Sequence, residues 1–97
     1  MSEEDRELLE SAAKAAGIEV IRSESEGLWI GGGLGIHWNP LLDDGAALRL
    51  AADLDLFGTP TYWHFLALAR LNNETDKYAN VRCAIVRAAA EIAKATA

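Results

Sequence analysis

From residue 77 to about residue 94 the chain carries an apolar stripe at three- and four-residue steps, Tyr78, Val81, Ile85, Ala88, Ala89 and Ile92, while Arg82, Glu91 and Lys94 project elsewhere. The spacing predicts the longest helix of the chain, and any fold has to cover its apolar face. Basic residues near its end suit the negative pole of the helix dipole. With 97 residues in all, residues 1–97 read as a single domain. About half of them are apolar (51%), enough to offset the entropy of ordering the chain.

The rest of the chain divides into shorter signals. Ser2 reads as a helix N-cap ahead of an acidic first turn, Glu3, Glu4 and Asp5. Leu8, Leu9, Ala12, Ala13 and Ala16 share one face, Glu3, Glu7 and Glu10 the other, and Gly17 ends a helix predicted over about 3–16. Ile18-Glu19-Val20-Ile21-Arg22 and Leu28-Trp29-Ile30, with Glu26-Gly27 between them, predict a hairpin. Gly31-Gly32-Gly33 and Gly35 offer a second reversal into Ile36-His37-Trp38, which Asn39-Pro40 closes. Behind the capping pair Asp43 and Asp44, the residues Ala47, Leu50, Ala51 and Leu54 predict a second helix over about 44–55. Residues 54–71 carry two patterns. Thr59-Pro60 suits the start of a helix, whereas Trp63, Phe65, Ala67, Ala69 and Leu71 alternate like one face of a strand. Aromatic crowding favours a hairpin turning through Gly58-Thr59-Pro60. The fold class expected is therefore α+β: a small sandwich of about three helices around a short antiparallel sheet, with Leu9, Ala12, Val20, Ile30, Leu50, Ile85 and Ile92 in its core.

The chemistry-bearing residues are sparse. Gly31-Gly32-Gly33-Leu34-Gly35 matches neither G-x-G-x-x-G nor a P-loop, and it leads into a strand. His37 and His64 are the two histidines and Cys83 the one thiol, too few for a closed zinc site unless carboxylates complete it. Cys83 has no activating neighbour in sequence, and a lone cysteine cannot form an internal disulfide, which fits a reducing cytosol. The expectation is no catalytic residue, no metal and no cofactor. A net charge of −6 with a pI near 4.7 argues against direct nucleic-acid binding or an anionic membrane. The acidic start does not resemble a signal peptide, and no run reaches the roughly 18 apolar residues of a membrane span. Two sets of residues are candidates for contact with a partner. Trp29, Trp38 and Trp63 are many tryptophans for so short a chain, and tryptophan is enriched at binding hot spots. Glu3, Glu7, Glu10, Asp43 and Asp44 either form solvated faces or a negative surface that imitates phosphates in a basic groove.

Three stretches carry a family resemblance: Glu7-Leu8-Leu9-Glu10-Ser11-Ala12-Ala13-Lys14-Ala15-Ala16-Gly17-Ile18-Glu19-Val20, then Trp38-Asn39-Pro40-Leu41-Leu42-Asp43-Asp44-Gly45-Ala46-Ala47-Leu48-Arg49-Leu50-Ala51, and Arg82-Cys83-Ala84-Ile85-Val86-Arg87-Ala88-Ala89-Ala90-Glu91-Ile92. Together they resemble the bacteriophage and prophage proteins described as phage ABA-sandwich domain proteins. The resemblance implies helices around an antiparallel sheet and brings no catalytic residues. Combined with the small size, the absence of a catalytic constellation and the net charge of −6, the resemblance leads to the expectation of a phage-encoded accessory protein that binds a host protein in the bacterial cytoplasm, most concretely as an inhibitor of a defence complex of the anti-CRISPR kind. An assembly role through self-association as a homodimer is the alternative, and a small enzyme a more distant one.

Overall fold

The computed structural model describes residues 2–23, 27–30, 36–72 and 75–96, with 22, 23, 27, 29, 30, 36 and 96 as backbone only. Among them are α1 (Glu3–Ala15), α2 (Asp44–Asp53), α3 (Pro60–Asn72) and α4 (Lys77–Thr96), of 13, 10, 13 and 20 residues. The strands β1 (Ile21–Ser23), β2 (Gly27–Ile30) and β3 (Ile36–Trp38) form an antiparallel meander in the order β1-β2-β3. A 3₁₀ turn, Leu56–Gly58, joins α2 to α3.

Short polar side chains start the helices by accepting backbone N–H groups that have no partner inside the first turn. The Ser2 hydroxyl accepts from Asp5 at 3.1 Å, Asp43 Oδ1 from Gly45 at 2.9 Å and Ala46 at 3.4 Å, and Asp76 Oδ1 from Ala79 at 2.9 Å. At the other end of α1, Gly17 takes a φ of 72°. Its N–H donates to Lys14 O and that of Ile18 to Ala13 O, which closes the helix as a Schellman motif.

The α+β sandwich is overturned. Four α-helices pack mainly on one another, and strands of three, four and three residues make too small a sheet to serve as a layer between them. The main cause is residues 54–71, expected as a hairpin, which form the 3₁₀ turn and α3 instead. Thr59 decides that segment: its hydroxyl accepts from Tyr62 N–H at 3.4 Å and donates to Leu56 O at 2.7 Å, so Pro60 occupies the first helical position, where its missing N–H costs nothing. The aromatic alternation is incidental, since the residues buried from α3 are Tyr62 and Leu66, four apart. The glycine reversal at 31–35 and the turn at 24–26 lie outside the described residues.

α4 is the centre of the molecule. Ala84, Ile85, Val86, Ala88, Ala89, Ala90 and Ala93 are buried, and at 100° per residue they span about 240° of its circumference. It packs most extensively on α1, through which Leu9, Ala12 and Ala13 reach the core, and next on α3 and α2. Leu28 and Trp38, paired across β2 and β3, bring the meander onto the same core. Leu9, Ala12, Leu50 and Ile85 are core residues as expected, Val20 and Ile92 are half-buried against them, and the side chain of Ile30, the seventh expected core residue, lies outside what is described. Tyr78 departs from its expected place in the stripe and stands 63% exposed at the start of α4.

Candidate functional site

The run Trp38 to Gly45 is explained first by structure. Asn39 is buried, and its side-chain oxygen accepts from Leu41 N–H at 3.1 Å. Its carbonyl accepts from Leu42 and Asp43, which folds the chain back around buried Pro40 into α2. From α4, Arg82 Nε donates to Leu41 O at 2.8 Å, and its Nη1 donates to Asp44 Oδ1 at 2.6 Å. One guanidinium thus ties the entrance of α2 to the central helix.

Two grooves flank α2. The larger, about 420 Å³, opens between β3 and α2; its walls carry His37, Asp43, Arg49 and Asp53 over a floor that includes Ile18, Trp38 and Leu50. The second, about 240 Å³, lies between α2 and α4 and is lined by Leu48, Phe57, Tyr78 and Val81, with the Asp44–Arg82 pair at its rim. Its apolar groups are exposed: Leu48 by 59% and Phe57 by 42%. Trp63 extends this surface. It is 55% exposed, yet its indole Nε1–H donates to Phe57 O at 3.0 Å. Buried Tyr62 stands edge-on to both neighbours, 5.0 Å from the Phe57 ring and 4.9 Å from that of Trp63. The 3₁₀ turn that presents Phe57 is preceded by Asp55 at a φ of 52°, a left-handed conformation that aspartate tolerates better than most side chains.

The candidate contact residues from the sequence are not brought together. Trp38 is only 5% exposed and fills the core, which takes its ring out of any partner surface. Trp29 lies opposite Ile21 and His37 in the meander, with its side chain outside the described residues. Trp63 alone of the three is shown at the surface. In the acidic set, Asp43 caps α2 and Asp44 holds Arg82, so both have structural work. On α1, Glu3 lies 3.7 Å from Arg6, Glu7 is exposed and Glu10 is half-buried, so the stripe is not uniformly open to a partner. His37 and His64 stand on β3 and α3, and His37 lines the larger groove with Asp43. Half-buried Cys83 lines a separate cleft between α3 and α4. Among the described residues no group of His, Cys, Asp or Glu is arranged to hold a metal ion, and no helix is long and apolar enough to cross a membrane.

Sequence reasoning passed over Leu48, Phe57 and Arg49 and assigned Tyr78 to the buried stripe of α4. A signal existed for one of them: Leu48 lies off the stripe Ala47, Leu50, Ala51, Leu54, and so had to face away from the core once that stripe was buried. No family model, curated protein or solved structure matches this chain.

Proposed function

We propose that this chain acts by binding another protein without catalysis, and that the contact surface is the aromatic end formed by Leu48, Phe57, Trp63 and Tyr78. The observation that supports this reading is an aromatic pair that is exposed and yet held in place. The Trp63 indole is held by its hydrogen bond to the Phe57 main-chain carbonyl, and both the Phe57 and Trp63 rings stand edge-on to buried Tyr62. Large side chains already fixed in the free protein lose little rotamer freedom on docking, and such residues dominate interface energetics. The resemblance to phage proteins gives the reading its concrete form, an inhibitor of a host defence complex in the bacterial cytoplasm.

The test is affinity capture from a bacterial host, run in parallel with wild type and with Phe57→Ala/Trp63→Ala. A host protein retained by the wild type and lost with the double variant is the expected result. Retention that is indifferent to the double variant but lost with Glu3→Lys/Glu7→Lys/Glu10→Lys would move the contact to the acidic face of α1. Recovery of the chain alone, with light scattering showing an oligomer that Trp63→Ala dissociates, would replace the inhibitor reading with self-assembly.

A further inference from the structure

We propose that the partner sets an amphipathic helix, apolar along one face and basic at its margins, into the groove between α2 and α4. The inference rests on the aromatic end being a contact surface, and gives the shape and charge of what it touches. Two helices wall this groove: Asp44 and Leu48 stand one turn apart on α2, and Tyr78, Val81 and Ile85 follow one another along α4 at steps of three and four residues. Rows at that spacing are the ridges that one helix packs into the grooves of another. Ile85 is buried, but the walls are not: Leu48, Phe57 and Tyr78 are exposed. α2 and α4 use most of their backbone N–H and C=O groups within the helices. An extended chain laid between them would leave its own backbone groups unpaired against apolar walls, whereas a helix satisfies its own internally. From Tyr78 to Ile85 is about 10 Å, the two turns over which an apolar face at i, i+3, i+4 and i+7 extends.

Charge decides the margins. Arg82 gives its guanidinium to Leu41 and Asp44, and the Lys77 ammonium lies 5.4 Å from the centre of the Tyr78 ring. Both of these cations beside the groove are thus engaged. The anions have capacity left. Asp44 uses one oxygen for Arg82 and its side chain remains 75% exposed. The Asp55 carboxylate, exposed two residues before Phe57, has no hydrogen bond or ion pair among the described residues. A basic residue at the edge of the partner helix complements such a rim, and the net charge of −6 steers a basic segment toward the chain from further away. A second copy of the chain is the poorer occupant. An isologous pair sets one patch against itself, which brings acidic rim to acidic rim.

The experiment uses four synthetic fifteen-residue peptides built on alanine and glutamine. Two carry four leucines at i, i+3, i+4 and i+7, and two carry the same leucines spread round the helix; in each pair one is flanked by lysine and the other by glutamate. Each is titrated into the isotope-labelled chain and into its Leu48→Glu and Asp55→Asn variants, with affinity read from backbone amide resonances. Leu48 is exposed, and asparagine tolerates the left-handed backbone of Asp55, so both variants keep the fold. The striped lysine peptide should bind at least fivefold tighter than each of the other three and shift resonances in α2 and the first turns of α4. Leu48→Glu should abolish the preference for the stripe, and Asp55→Asn should at least halve the preference for lysine. Equal binding of striped and dispersed peptides, no preference for lysine, or shifts confined to residues outside α2, Phe57 and the start of α4 would overturn the helix. Binding by no peptide, beside host-protein capture that still depends on Phe57 and Trp63, overturns it too but leaves the aromatic end as a contact surface for a partner of another shape. Loss of that capture as well removes the surface itself.

Discussion

The two ends of α4 face different neighbours and are built from different materials. Over residues 84–93 its buried side chains are mostly alanine, and α1, its most extensive neighbour, contributes Ala12, Ala13 and Leu9. Around its first turns the surroundings are aromatic and open: Tyr78 is exposed, and the groove beside it continues to Phe57. Small side chains let helix backbones approach closely and leave nothing for a partner to grip. Large ones at the other end exceed what the neighbouring helices cover. The difference teaches that one helix can be the structural axis of a small domain along most of its length and part of a contact surface at its start.

Substitutions that exchange these materials test the contrast. The largest effect should come from tryptophan. Trp38→Ala should cost about 3–5 kcal/mol in denaturant unfolding, as a buried ring does, whereas Trp63→Ala should cost about 1 kcal/mol, chiefly its hydrogen bond to Phe57. Equal losses would erase the distinction between core and surface rings. Next, Ala89→Leu should destabilise by about 1–3 kcal/mol through overpacking, while the same change at exposed Ala67 should stay within about 0.5 kcal/mol. A neutral Ala89→Leu would mean that the packing around α4 is loose. Third, Arg82→Met removes the bonds to Leu41 and Asp44. Because Asp44 is largely exposed and its ion pair screened, the loss should be about 1 kcal/mol, with hydrogen exchange accelerated at the start of α2.

The smallest effect concerns pH. Burial raises the Tyr62 hydroxyl above its ordinary value of 10.0, against an opposing pull from Arg70. The neutral phenol is therefore favoured in the fold. Its contribution is complete below pH 10 and is lost as the pH rises through the elevated folded value. Thermal melts of Tyr62→Phe should fall less steeply than those of wild type above pH 10, and parallel curves would contradict this.

Local signals in the sequence proved more reliable than long patterns. Ser2 and Gly17 marked both ends of α1 because a cap and a left-handed residue act through neighbours in sequence and need no tertiary context. The α4 stripe was legible for a related reason, since alanine and isoleucine at helical spacing suit few alternatives. α3 was not, because apolar residues occur all round it: Trp63, Phe65, Ala67, Ala69 and Leu71 imitate a strand, while only Tyr62 and Leu66 are fully buried. Thr59-Pro60 held the correct answer, and the aromatic pattern outweighed it. Trp38 and Trp63 are chemically identical, so nothing local distinguished the ring in the core from the one at the surface. That depends on which elements meet, and the α+β expectation had the wrong elements meeting.

The alanines around α4 also shape how this chain can change over generations. An alanine in a close-packed interface has almost no smaller replacement, so nearly every mutation there adds volume, and glycine, the exception, weakens the helix by about 1 kcal/mol. Drift along residues 84–93 is therefore blocked in both directions. At Leu48, Phe57, Trp63 and Tyr78 the side chains already stand partly in solvent, and replacements of many sizes are sterically admissible. Variation among descendants of this chain should accumulate at the aromatic end, which leaves a lineage free to alter what it touches while keeping its frame.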